Sequence, residues 1–244
     1  MSEVRGQRSG LTVCCLFVFL TSDIRPLAVT RLVVIPHPIC YKTAMSNDSE
    51  TPAVILASAS PRRKYLLEQA GLCIEVIPAD IDEGAIEEAD PAARVCALAE
   101  AKAMRIAEDY PARWVVGADT VVVIDGRILG KPVSENDAKK MLMRLSGRTH
   151  QVYTGYALVC AASGKRFSEA VCTDVRFKDL NDHEIDWYVH TGEPFDKAGA
   201  YAIQGIGTFL VRSISGSYTN VAGLPVCEVI ERLIAEGVVG WTAE

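Results

Sequence analysis

Arg62, Arg63 and Lys64 stand together after Ser58-Ala59-Ser60-Pro61, in the stretch LASASPRRKYLLEQAG over 56–71. Ser60 fits a helix N-cap, Pro61 the first helical position, and Gly71 the residue past the end. A helix N-terminus already carries partial positive charge, so cations there are uncomfortable unless something negative joins them. Backbone N–H groups, the Ser58 and Ser60 hydroxyls, and arginines that can hold two oxygens at once make an anion site. Those residue types identify only a phosphate or a carboxylate, and a solvated basic turn is the plain alternative.

Asp119 is the second chemical residue. It interrupts the apolar run from Trp114 to Ile124, where an unpaired charge is costly. Beside a phosphate site, such a carboxylate is a candidate general base or divalent-metal ligand. Lys102 shares a helical stripe with Val95, Leu98 and Ile106, the face that should be buried; it either snorkels to the rim or acts. Asp80, Asp82 and Glu83 form an acidic loop that could hold Mg²⁺ against phosphates, or simply sit in solvent. Lys131, between Gly130 and Pro132, is a cation held in a turn. In DKAGAYAIQG over 196–205, small residues follow Asp196 and Lys197, and the Gln204 amide could read the edge of a base. His37, His150, His183 and His190 have no mutual spacing suited to a metal, and the GxSxG, HExxH and P-loop patterns are absent.

Capped helices alternating with strands must position these groups. Strands are expected at 53–57, 73–79, 114–129 with an Asp-Gly hairpin turn at 125–126, 151–160 and 166–177. Helices are expected from Pro61 to before Gly71, from Pro91 to about Asp109, from Ser134 through Leu145, over 182–190, and from Pro225 to about Ala235. The Gly-rich stretch 199–225 has no periodicity. The alternation predicts an α/β fold with a mixed sheet flanked by helices.

Composition narrows the partners. A formal net charge of −6 over 244 residues argues against a nucleic-acid or membrane-surface binder, which would carry a basic face. A small anionic substrate is compatible with it. The eight cysteines lack regular spacing and are expected as free thiols in a reducing, cytoplasmic setting. Residues 11–20, LTVCCLFVFL, follow Arg5 and Arg8 like a signal peptide but lack a clean cleavage site. The expectation is a disordered extension over 1–44, either upstream of a true start at Met45 or a targeting segment, and one domain over 45–244.

The motifs ASASPRR (57–63), DIDE (80–83), EAKA (100–103), GADT (117–120), GKP (130–132), SGRTHQVYTG (146–155), FDKAGAYAIQG (195–205) and GSYTNVAGLP (216–225) occur in the order and kind of the Maf family of nucleoside triphosphate pyrophosphatases. The chain resembles that family over roughly 53–235. The resemblance implies two lobes around a nucleotide-binding cleft, an ITPase-like fold, and hydrolysis between the α and β phosphates with Mg²⁺ or Mn²⁺. By the same resemblance, Asp119 is the proton acceptor and Ser58, Arg63, Glu83, Lys102 and Lys131 are polar cleft residues. The metal would sit on Glu83, Asp119 or both. Arg62, Thr120 and Gln204 look like the branch acting on dTTP and UTP, with modified pyrimidine nucleotides equally open.

The family also implies a house-cleaning role, a link to cell-division arrest and a homodimer. Three rival readings remain at this stage: the 7-methyl-GTP branch, a nucleotide-binding regulator without turnover, and a phosphatase releasing orthophosphate.

Overall fold

Val54, Ile55 and Leu56 form a short strand, β1 (Val54–Leu56), fully buried as its unbroken apolar run demands. In the computed structural model, which describes residues 53–240, β1 lies between β2 (Ile74–Val76) and β3 (Trp114–Ile124), parallel to both. The expectations for residues 1–44 and for a start at Met45 lie outside the described residues. Antiparallel β5 (Thr149–Cys160), β6 (Lys165–Phe177) and β7 (Val211–Ser215) complete the order β2-β1-β3-β5-β6-β7. The Asp125-Gly126 turn, both residues at positive φ, sends β4 (Arg127–Leu129) back along β3.

One detail of this topology makes the site. β5 runs along one edge of β3 from Val115 to Val123. On the opposite edge, β1 covers Trp114–Val116 and β4 covers Val122–Ile124. Residues 117–121 therefore have no strand partner on that edge among the described residues. The sheet has a gap in it, at the carboxyl end of parallel β1.

Helices pack on both faces, and the hydrophobic residues separate into two main lobes. α1 (Pro61–Gln69) turns Leu66 and Leu67 inward, and α6 (Val226–Ala235) adds Val229 and Leu233 over β1 and the start of β3. α3 (Glu135–Leu145) and α4 (Asp182–His190) bring Leu142, Leu145, Ile185 and Tyr188 against the far ends of β3, β5 and β6. β3 belongs to both lobes, and residues 119–121 lie between them.

α2 (Pro91–Asp109) covers the other face, capped by the Asp90 carboxylate on the Ala93 N–H at 2.8 Å. Its buried stripe holds Val95, Leu98, Ala99, Lys102, Ala103, Ile106 and Ala107. Each of the larger apolar members contributes about 1.5–3 kcal/mol. The helix lies very close to the sheet: a Cβ on Gly117 would strike the Ala99 carbonyl, and one on Gly155 the Val95 carbonyl.

The stretch 199–225 departs from the sequence expectation. It contains β7 and α5 (Tyr218–Ala222), the latter capped by Ser217. Among the described cysteines, Cys96, Cys160, Cys172 and Cys227 are free. No helix among the described residues is long and apolar enough to cross a membrane.

Candidate active site

The gap beside β3 opens into a cleft of about 580 Å³, within the ordinary range for a small-molecule site. Ser58, Arg62, Arg63, Glu83, Lys102, Asp119, Thr120, Lys131 and Gln204 all line it. These residues, scattered over 147 positions of sequence from 58 to 204, meet in one place.

Strand periodicity sorts Asp119 and Thr120 onto opposite faces of β3. Asp119 turns toward α2. There the Lys102 ammonium donates to Asp119 Oδ1 at 2.8 Å and reaches Glu83 Oε1 at 2.7 Å. Lys102 is only 8% exposed, so it does not snorkel out to solvent. It sits on the buried stripe because carboxylates meet it there. Its hydrogen bond holds the Glu83 carboxyl below the usual carboxylate range, partly offset by desolvation. Asp82 has a different task from the one considered for it: its side chain accepts from the Gly84 N–H at 3.0 Å and shapes the turn that presents Glu83. Asp80 and Asp82 do not line the cleft.

Thr120 turns toward α1 and meets Arg63. From the sequence, Arg63 is expected among the cations around a phosphate; its guanidinium is instead largely taken up by protein acceptors. Nε donates to the Gly223 carbonyl at 2.8 Å, and Nη1 donates to the Ala118 carbonyl at 2.8 Å and to Ser58 Oγ at 3.1 Å. Nη2 donates to Thr120 Oγ at 3.1 Å. Ala118 lies on the unpartnered edge of β3, so Arg63 supplies a donor that a neighbouring strand would otherwise provide. Burial lowers the Arg63 pKa, with the Asp119 charge opposing, but a guanidinium remains protonated at neutral pH. The Thr120 hydroxyl continues to Thr154 Oγ at 3.0 Å, and Thr154 donates to the Asn220 carbonyl at 3.0 Å.

The other cations face the opening. Ser60 makes no side-chain capping bond, so the first-turn N–H groups of α1 are left for a ligand. Arg62, half-buried, spans the mouth to the exposed Asp196 carboxylate, with Oδ2 at 3.1 Å. Lys131 is exposed at the rim. Lys197 also lines the cleft, where its ammonium donates to the Glu193 carbonyl at 2.6 Å and pairs with Asp196 at 2.5 Å. Gln204 is half-buried in the cleft lining, and its amide makes no capping bond to the turn that follows it.

Thr154, Asn220 and Gly223 fall within the motifs at 146–155 and 216–225, which gave them no individual role, and Glu193 lies outside every motif. Thr154 and Asn220 are buried polar residues inside apolar surroundings, but only their long-range partners give them meaning.

Fold and cleft together define an α/β protein with a cleft, lined by basic and acidic side chains, at a gap within its sheet. The chain belongs to the Maf-like protein family, whose pattern it matches over residues 53–236. It is similar to the dTTP/UTP pyrophosphatase of Syntrophus aciditrophicus (strain SB), with 51% identity over 183 residues, covering 75% of this chain and 89% of that one. It is also similar to the dTTP/UTP pyrophosphatase of Geobacter sp. (strain M21), with 52% identity over 196 residues, covering 80% of this chain and 100% of that one. A solved HAM1 protein from Coxiella burnetii aligns over 75% of this chain and 98% of its own, at 17% identity and a TM-score of 0.42.

Proposed function

We propose that this chain hydrolyses dTTP and UTP between the α and β phosphates, giving the nucleoside monophosphate and pyrophosphate. The observation that carries the reading is the Glu83–Lys102–Asp119 cluster in the gap of the sheet, facing the basic, uncapped start of α1 across one cleft. The pyrimidine specificity rests on the relatives, which bear that activity in their names.

The triphosphate lies along the start of α1, where backbone N–H groups and Arg62 receive its oxygens. Arg62 exchanges Asp196 for phosphate, which costs little because the Asp196 carboxylate is solvent-exposed. Arg63 works mainly as a positioning residue for Ser58, Ala118 and Thr120. Lys102 binds Oδ1 of Asp119 and leaves Oδ2 to take the proton from the attacking water. Lys102 and Lys131 offset charge that gathers on the leaving pyrophosphate. The Gln204 amide reads the donor and acceptor edge of the base.

Glu83 and Asp119 also suit a divalent cation. Mg²⁺ typically takes one or two carboxylates and completes its shell with water and substrate phosphates, and two carboxylates converge on Lys102 here. No cluster of three or more His, Cys, Asp or Glu side chains suited to a metal occurs among the described residues. When bound, Mg²⁺ or Mn²⁺ supplies charge neutralisation at the phosphate oxygens.

The test is turnover of dTTP, UTP, CTP, GTP and 7-methyl-GTP at equal concentration. The reading predicts the highest kcat/KM for dTTP and UTP. Preference for 7-methyl-GTP would overturn the assignments of Arg62, Thr120 and Gln204. Tight binding of all without turnover would favour a regulator.

A further inference from the structure

Gln204 occupies the N-cap position of the 3-10 turn Gly205–Leu210. An N-cap side chain ordinarily accepts from the N–H groups two and three residues on. Here those donors are already satisfied by a residue from another segment. The Ile206 N–H donates to Glu193 Oε2 at 2.9 Å and the Gly207 N–H to Glu193 Oε1 at 2.8 Å. The Glu193 carboxylate is itself fixed by the Tyr188 hydroxyl, which donates to Oε1 at 2.8 Å. Tyr188 is fully buried in α4, and its oxygen also accepts from the Ala202 N–H at 3.2 Å. The segment leading into Gln204 and the turn leaving it are therefore tied to one rigid helix through one carboxylate and one phenol.

The glycines show that this brace is built closely. A Cβ on Gly205, at φ +70, would stand 2.7 Å from Glu193 Oε2. One on Gly207 would stand 2.6 Å from the Tyr188 oxygen. Side chains there would displace the carboxylate.

We propose that Glu193 and Tyr188 are positioning residues for base recognition: Glu193 caps the Gly205–Leu210 turn in place of Gln204, which leaves the Gln204 amide facing the cleft. The inference rests on the reading of Gln204 as the base-recognising amide. Without the brace, the Ile206 and Gly207 N–H groups become available to the Gln204 side chain. That side chain then turns back onto them and away from the cleft. Discrimination among bases falls, while the chemistry at Asp119, which the brace does not touch, is less affected.

The experiment compares Glu193→Ala, Tyr188→Phe and Gln204→Ala in the full chain, measuring kcat and KM for UTP and GTP. Glu193→Ala is expected to lower kcat/KM for UTP about tenfold, the order of one lost hydrogen bond to a charged group. The loss falls on KM more than on kcat, and the UTP-to-GTP ratio falls with it. Tyr188→Phe, which keeps the ring packing, moves the ratio the same way by less. Thermal unfolding of each variant separates this from general loss of folded protein.

Equal losses for UTP and GTP in Glu193→Ala and Tyr188→Phe, with a ratio collapsed only in Gln204→Ala, would overturn the brace alone. An unchanged ratio in Gln204→Ala would overturn the reading of Gln204 and the brace together. If Glu193→Ala does not fold, the ratio in Tyr188→Phe decides.

Discussion

Asp119 and Lys102 each resolve a problem that the other creates. A carboxylate in an apolar strand and an ammonium on an apolar helix face are both expensive alone, and they meet at 2.8 Å. Asp119→Asn keeps the shape and removes the carboxylate proposed as the base. Turnover is expected to fall about 10²- to 10⁴-fold, the usual span for a general base. Arg63→Lys tests the positioning role. It leaves the Gly223 and Ala118 carbonyls and Thr120 without their fork of donors, and should lower unfolding free energy by about 3 kcal/mol in denaturant titrations.

His150 adds a pH signature at the same scale. It is 2% exposed, hydrogen-bonded to the Tyr201 hydroxyl at 2.8 Å, and burial lowers its pKa to about 4. Above pH 6.5 it is neutral folded or unfolded and contributes nothing to pH dependence. As pH falls below that, the unfolded chain takes up the proton first, so stability drops until about pH 4. The loss by pH 4.5 is about 2 kcal/mol from this residue. A His150→Gln protein should therefore show a shallower decline between pH 7 and pH 4.5 than the unaltered chain. Parallel declines would contradict the assignment.

The elements bring these side chains together through close backbone approach. Gly117 and Gly155 let α2 lie against β3 and β5, and that contact sets the depth at which Lys102 enters the cleft. Gly117→Ala forces helix and sheet apart. It is expected to cost about 1–3 kcal/mol by overpacking, and to lower activity further by moving Lys102 off Asp119. Denaturant unfolding and a rate assay on the same preparation would check both.

Much of this level was legible beforehand. Caps, the Asp-Gly turn and the apolar runs placed α1, α2, the β3–β4 hairpin and the β5–β6 pair close to their observed ends. β7 and α5 were not, because the glycine-rich stretch shows neither period. The gap within the sheet was also hidden. It follows from β1 and β4 both ending short along one strand, and pairing partners are not written in local pattern. The same reason concealed the partners of Arg63 and the Glu193 cap: each joins segments that are distant in the chain.

At the scale of the whole molecule, the chain is acidic yet gathers Arg62, Lys102 and Lys131 at one opening. Attraction of a triphosphate to that opening is screened by salt. KM for UTP is expected to rise with ionic strength while kcat changes less. The cleft is also shared between two apolar cores. A non-hydrolysable UTP analogue should therefore raise the melting temperature of the whole domain, by about 2.7 kcal/mol of stabilisation at a hundredfold excess over Kd.

The central claim is that the Asp119 cluster performs phosphoanhydride cleavage between the α and β positions. The most direct test incubates the protein with Mg²⁺ and dTTP or UTP and resolves pyrophosphate from orthophosphate, beside Asp119→Asn. Pyrophosphate and nucleoside monophosphate in equal amounts, nearly abolished in Asp119→Asn, is the predicted result. Orthophosphate as the primary product, or pyrophosphate release undiminished in Asp119→Asn, would contradict it.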